Sequence, residues 1–174
     1  MRVEPADDDE PDAQAELERA MTIVRRGSSQ TVRTEDQLNR ALLRHGIAPE
    51  VAAEAVARSR DAGIVDDSAY ATAFAAERAR KGHAWGRIRA DLRQRGVPDA
   101  IIETARPGDG GDPDAAAFDV AIKRAGRMNG LEFETALRRL VGYLVRRGHH
   151  EGVAVKVARQ ALHHEREEQR AAER

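Results

Sequence analysis

Asp66 and Asp67 stand side by side in Gly63-Ile-Val-Asp-Asp-Ser-Ala-Tyr-Ala71, directly after an apolar pair. Adjacent carboxylates can do acid–base chemistry, hold a cation, or open a helix. Catalysis would need a nucleophile, a metal or a pKa-raising environment nearby, and the sequence names none. An aspartate at a helix N-cap accepts backbone N–H bonds, and a second one in the first turn favours the positive helix end. The pair is therefore expected to cap a helix. Ile64 and Val65 before it, with Tyr70 and Phe74 after it, are expected to make an apolar contact across that start. The histidine pairs His149-His150 and His163-His164 point about 100° apart on a helix, and no third ligand is placed by spacing, so no metal is expected. Gly108-Asp-Gly-Gly111 lacks the lysine and hydroxyl of a phosphate-binding loop, so no nucleotide cofactor is expected either. With no cysteine in the chain, thiolate chemistry is excluded. No Ser/His/Asp arrangement is legible, and no catalytic residue is assigned.

Cationic side chains are the other chemically informative group. Arg78, Arg80, Lys81, Arg87, Arg89, Arg93 and Arg95 are opposed only by Asp91 in residues 78–95. Arg89 and Arg93, four apart, share a helix face. A second cluster holds Arg138, Arg139, Arg146 and Arg147, with Lys156 and Arg159, against Glu151; Lys123, Arg124 and Arg127 form a weaker group. Two readings stand at this point: a surface that docks on phosphate or on an acidic protein, and a merely solvated helix face. Trp85 could stack on a base, but Leu137 occupies the equivalent place in a later repeat, which points to packing. By the same logic Tyr70 and Phe74 are expected in the core.

The elements that position these residues follow from a repeat of about fifty residues. Gly46, Gly96 and Gly148 lie 50 and 52 residues apart in LNRALLRHG, IRADLRQRG and LVGYLVRRG. Leu38, Ile88 and Leu140 precede them by eight; Leu42, Leu92 and Leu144 by four; Val51, Ile101 and Val153 follow by five. Apolar residues four apart mark one helix face. A basic pair before glycine suits the helix C-terminus, and the glycine supplies the left-handed residue that ends it. Pro49 and Pro98 then sit in the first turn of another helix. A further helix precedes each pair, over roughly 15–26, 67–80 and 113–125, and Thr34 with Gln37 forms a capping box.

The expected fold is all-α: three tandem three-helix repeats forming an elongated, curved helical array. Expected boundaries are 1–14 for a disordered acidic leader, 15–62, 63–106 and 113–168 for the repeats, 107–112 for a linker on which the third repeat hinges, and 169–174 for a tail. Residues 1–18 carry eight acidic groups and one arginine, which leaves 28 basic and 22 acidic groups in the remainder. The start of the chain has no signal-peptide pattern, and no apolar run approaches a membrane span, so a cytoplasmic protein without membrane contact is expected.

Residues 63–97 resemble the central repeat of the RecX family of recombination regulators. The features are the glycine and apolar pair before Asp66-Asp67, then Tyr70-Ala71, Phe74, Arg78, Gly82, Arg87-Ile88, Leu92 and Arg95-Gly96-Val97. Segments 16–60 and 113–168 resemble the family's first and third repeats more loosely. The resemblance implies a non-enzymatic regulator that binds the RecA recombinase filament on single-stranded DNA; a monomer is expected. It also implies suppression of strand exchange, ATP hydrolysis and co-protease activity, and so modulation of DNA repair and the SOS response. The competing readings are a direct DNA-binding protein with helix-turn-helix-like units and a helical scaffold with no link to nucleic acid.

Overall fold

The computed structural model describes residues 10–28, 33–108, 112–172 and 174. They form α1 (Glu10–Ser28), α2 (Glu35–Arg44), α3 (Pro49–Asp61), α4 (Asp67–Arg80), α5 (Trp85–Gln94), α6 (Asp99–Thr104), α7 (Pro113–Ala125), a 3-10 turn (Gly126–Met128), α8 (Phe133–Arg146) and α9 (Glu151–Ala172). No strand occurs among the described residues. The chain is all-helical, and the helices fall in threes as the glycine spacing predicts. α4 and α7 coincide with their expected ranges. α1 starts at Glu10, earlier than expected, because Pro11 is tolerated in a first turn and Asp12 suits the positive helix end. The disordered leader is thus corrected for residues 10–14, and residues 1–9 lie outside the described residues. α9 likewise runs on to Ala172, through most of the segment expected to be a tail.

Two compact bodies are present. The first contains the described residues up to Ala71 together with Leu92–Glu103. Its core is Leu17, Ala20 and Val24 of α1, Leu38 and Leu42 of α2, Ala52, Ala55 and Val56 of α3, with Ile47 and Val65. Val65 is buried whereas Ile64 is exposed, so only one member of the expected apolar pair makes an inward contact. The second body contains Thr72–Asp91 and Thr104–Arg174. Here α7 and α8 both pack on α9. Ala117, Ala121 and Ala125, spaced by four, meet Ala154, Ala158 and Ala161, and Leu137, Leu140, Leu144 and Val157 fill the remaining space. Alanine on both partners lets helix axes approach closely, so an aromatic-poor sequence still builds a dry interface.

Each body contains the same kind of joint between successive repeats. In the first, Thr34 caps α2: its hydroxyl accepts from the Gln37 N–H at 3.2 Å, the Gln37 side chain accepts from the Thr34 N–H at 3.2 Å, and the hydroxyl donates to the Arg95 carbonyl at 2.6 Å. In the second, Ala84 precedes α5 and its N–H donates to the Arg147 carbonyl at 2.9 Å. Thr34 and Ala84 are equivalent positions, and Arg95 and Arg147 each precede the repeat glycine. The glycine beyond the carbonyl lies against the receiving helix: a Cβ on Gly96 would overlap Asp36, and one on Gly148 would come within 2.5 Å of Arg87 Cβ. Gly46, in the first repeat, has open space around it. All three have positive φ, from 73° to 87°.

The second joint ties the third repeat to residues 81–84 independently of the linker on which it is expected to hinge. The Arg147 Nε donates to the Lys81 carbonyl at 3.0 Å and the His149 ring nitrogen lies 3.1 Å from the Gly82 carbonyl. Together with the Ala84 bond, these contacts hold residues 81–84 against the turn after α8.

Candidate anion-binding interface

The aspartate pair is structural, in two different ways. Asp66 caps its own helix, its carboxylate accepting from the Ala69 N–H at 2.9 Å. Asp67 is 5% exposed and accepts from the N–H of Glu35, the first residue of α2, at 2.9 Å. Burial pushes the Asp67 carboxyl above the usual aspartate range; the Glu35 hydrogen bond opposes this, and Asp36 and Asp66 add to it. A raised folded-state pKa means that Asp67 favours folding most at low pH, a contribution lost as pH rises through the folded value. Asp67→Asn keeps an acceptor for Glu35 and removes the ionisation. Its stability relative to the wild type is therefore expected to rise as pH increases above 3.8, the ordinary aspartate value, as read by urea unfolding at several pH values. A constant difference across that range would refute the assignment.

The basic run 78–95 is divided between the two bodies. Arg78, Arg80, Lys81, Arg87 and Arg89 belong to the second body, Arg93 and Arg95 to the first. Most of its charge is already engaged. Arg78 lies over the Phe74 ring at 5.0 Å, Lys81 pairs with Glu77, and Arg87 pairs with Asp91 at 3.1 Å. Arg93 grips both Asp99 oxygens at 2.6 and 3.1 Å, and Arg95 donates to the Tyr70 hydroxyl at 3.0 Å. Arg89 is half-buried and has partners too. Tyr70 and Phe74 are half-buried beside arginines rather than in the core.

The second basic cluster is different. Arg138, Arg139 and Arg146 of α8, with Arg124 of α7 and Arg127 of the 3-10 turn, line one cleft of about 350 Å³. Its other walls are Met128, Leu131, Gly142 and Tyr143. None of the five guanidinium groups pairs with a carboxylate among the described residues. Arg138, Arg139 and Arg146 are exposed, whereas Arg124 is half-buried with its Nε shielded and without an acceptor. Tyr143 separates Arg124, 5.1 Å from its ring centre, from Arg147 at 3.9 Å. Arg147, expected in the interface, instead belongs to the joint. Lys156 is neutralised by Asp114 at 2.8 Å. Arg124, Arg127 and Tyr143 were the part of this cleft that sequence spacing underweighted; the i, i+3 arrangement of Arg124 and Arg127 was the available signal.

Trp85 is half-buried and lines a separate cavity of about 440 Å³ with His83, Ile88, Val120 and His149, while Arg106 lies 5.9 Å from its ring centre. Burial, then Arg78 and Arg147, push the His83 pKa down, against Asp91, and its Nδ1 is buried without a partner. The paired histidines act separately: His150 accepts from the Gly152 N–H at 3.2 Å, His163 packs 5.0 Å from Phe133, and His164 lies 3.5 Å from Glu168. No group of three His, Cys, Asp or Glu among the described residues could hold a metal ion. No helix among them is long and apolar enough to cross a membrane.

The family described as "RecX, second three-helix domain" matches residues 66–105, which span α4 to α6. The Regulatory protein RecX of Streptomyces coelicolor is 35% identical over 154 residues, covering 87% of this chain and 82% of that protein. The chain belongs to the RecX family. The Regulatory protein RecX of Thermobifida fusca is 36% identical over 146 residues, 83% of this chain and 79% of its own length. The fold agrees with a crystal structure of RecX from Lactobacillus salivarius, at a TM-score of 0.67 and 16% identity over 85% of this chain and 97% of that one. RecX relatives are named as regulatory proteins, and a regulatory role follows for this chain.

Proposed function

We propose that this RecX-family chain is a cytoplasmic, non-enzymatic regulator that binds the RecA recombinase filament on single-stranded DNA. Binding restrains strand exchange, ATP hydrolysis and co-protease activity. The observation that carries this reading is the set of unpaired arginines lining the α7–α8 cleft in a chain of the RecX family. Unpaired, exposed cations in a concave site raise the local concentration of an anionic partner and speed its docking. No chemistry is required: a partner lodged between protomers or at the growing end restrains the filament by occupying space that its working motions and new protomers need. A major-groove reader is disfavoured, because α6 has only six residues and its Asp99 is bound to Arg93.

The test is ATP hydrolysis by preformed RecA filaments on single-stranded DNA. Inhibition is expected below one molecule per protomer. Arg138→Glu with Arg139→Glu is expected to raise the half-inhibitory concentration by roughly tenfold or more, since reversing two unpaired charges facing an anion costs over 1.4 kcal/mol. Arg89→Glu with Arg93→Glu is expected to cost less, as Arg93 is already neutralised by Asp99. Undiminished hydrolysis at equimolar protein would sink the proposal.

A further inference from the structure

We infer that the arginine cleft between α7 and α8 is a phosphate site that takes the sugar-phosphate backbone of a single nucleic-acid strand. This deepens the filament reading, and rests on it only in supposing that the strand is met inside a filament.

The charge argument comes first. Arg124, Arg127, Arg138, Arg139 and Arg146 converge on one cleft without a carboxylate partner among the described residues. Five like charges repel one another, and one carboxylate would leave most of that repulsion in place. A strand instead delivers permanent negative charges at a covalently fixed spacing, about 3.4 Å per nucleotide when stacked. Arg139 and Arg146 are seven residues apart on α8, a rise of about 10.5 Å, which is the length of about three such steps.

The second argument concerns hydrogen bonding. Guanidinium groups present forked donors that match the two free oxygens of a phosphodiester. Arg124 lines the cleft, and its Nε is buried with no acceptor among the described residues, so its donors are not all used within the protein. Tyr143 holds this head against its ring, so it is already ordered before any ligand arrives.

The walls supply the third argument. Gly142 lies between the arginine pair and Arg146 on α8, and a Cβ there would sit 3.2 Å from the Arg146 guanidinium. A glycine inside a helix costs about 1 kcal/mol relative to alanine; here it leaves room for that charged head beside the backbone. Met128 and Leu131 add apolar surface suited to sugar carbons, which an acidic side chain would not use.

The experiment measures fluorescence anisotropy of a labelled twelve-residue oligothymidylate titrated with the full chain at several salt concentrations. Arg138→Ala with Arg139→Ala is expected to weaken binding at least tenfold. It should also lower the slope of log affinity against log salt by about 1.4, at roughly 0.7 per lost phosphate contact. Both residues are exposed and unpaired, so the variant is expected to keep its circular dichroism spectrum. The charge-matched control Arg44→Ala with Arg58→Ala, on α2 and α3, should bind as the wild type does. A methylphosphonate oligothymidylate, with neutral linkages, should fail to compete. Equal binding by the Arg138/Arg139 variant would overturn the inference, as would competition by the neutral oligonucleotide. Displacement by polyglutamate at equal charge concentration would overturn it in favour of an acidic protein surface. Inhibition of filament ATPase with unchanged oligonucleotide binding in the variant removes the cleft inference alone. Cleft-dependent oligonucleotide binding without any filament inhibition removes the filament reading alone.

Discussion

Gly96→Ala is expected to lower the stability of the chain by about 2–4 kcal/mol, whereas Gly46→Ala should cost only about 1–2 kcal/mol. The two glycines look alike in sequence and share a positive φ, 79° and 73°. Each alanine would suffer left-handed backbone strain. At Gly96, however, the new methyl group also meets Asp36 on α2, and both groups leave their backbones at the point of contact, so no side-chain rotation relieves the overlap. At Gly46 nothing lies within 4 Å of the added atom. Gly148→Ala, facing Arg87 Cβ at 2.5 Å, should behave like Gly96→Ala. Urea unfolding of the three variants decides the matter. Equal losses at positions 46 and 96 would mean that the joint contributes no steric requirement.

Thr34→Val should cost about 2–3 kcal/mol, since it keeps the side-chain shape but removes the hydroxyl. Thr34 is fully buried, and its hydroxyl serves the Gln37 N–H and the Arg95 carbonyl together. Valine leaves both backbone groups buried and unmatched, which is worse than losing one surface bond. Thr34→Ser retains the hydroxyl and should lose less than about 1 kcal/mol. Amide exchange gives an independent readout, because the first turn of α2 should lose protection in Thr34→Val and keep it in Thr34→Ser. Protection unchanged in the valine variant would show that the cap is dispensable.

Features set by local spacing were legible in the sequence. The glycine turns, the Thr34–Gln37 box, the Asp66 cap and the extents of α4 and α7 all depend on residues within one or two turns of each other. What escaped depends on partners far along the chain. Asp67 looks like a second first-turn carboxylate of α4, yet its acceptor atoms serve α2, thirty-two residues away. Arg147 looks like a helix-end cation available to a ligand, yet its carbonyl and guanidinium both hold residues 81–84. The candidate interface suffered most from this. A charge sum over 78–95 makes that run look strongly cationic, but summing leaves out pairing. Glu77 sits just outside the window and neutralises Lys81, and Asp99 just beyond it takes Arg93. The cleft arginines stood out only once the acids around every cation were known.

The joints have a directional consequence. Thr34 and Ala84 are receiving positions, the carbonyls of Arg95 and Arg147 with their glycines are inserting ones, and equivalent positions meet in both joints through different donors, the Thr34 hydroxyl in one and the Ala84 N–H in the other. The repeat at one end has an inserting turn, at Gly46, with open space beside it. At the other, the start of α8 is capped by its own Glu132 rather than by a following turn. Such a unit is a module with a plug and a socket of fixed polarity. Duplication of a fifty-residue segment would bring both halves of its own connector with it, so the array could lengthen without any new interface having to evolve.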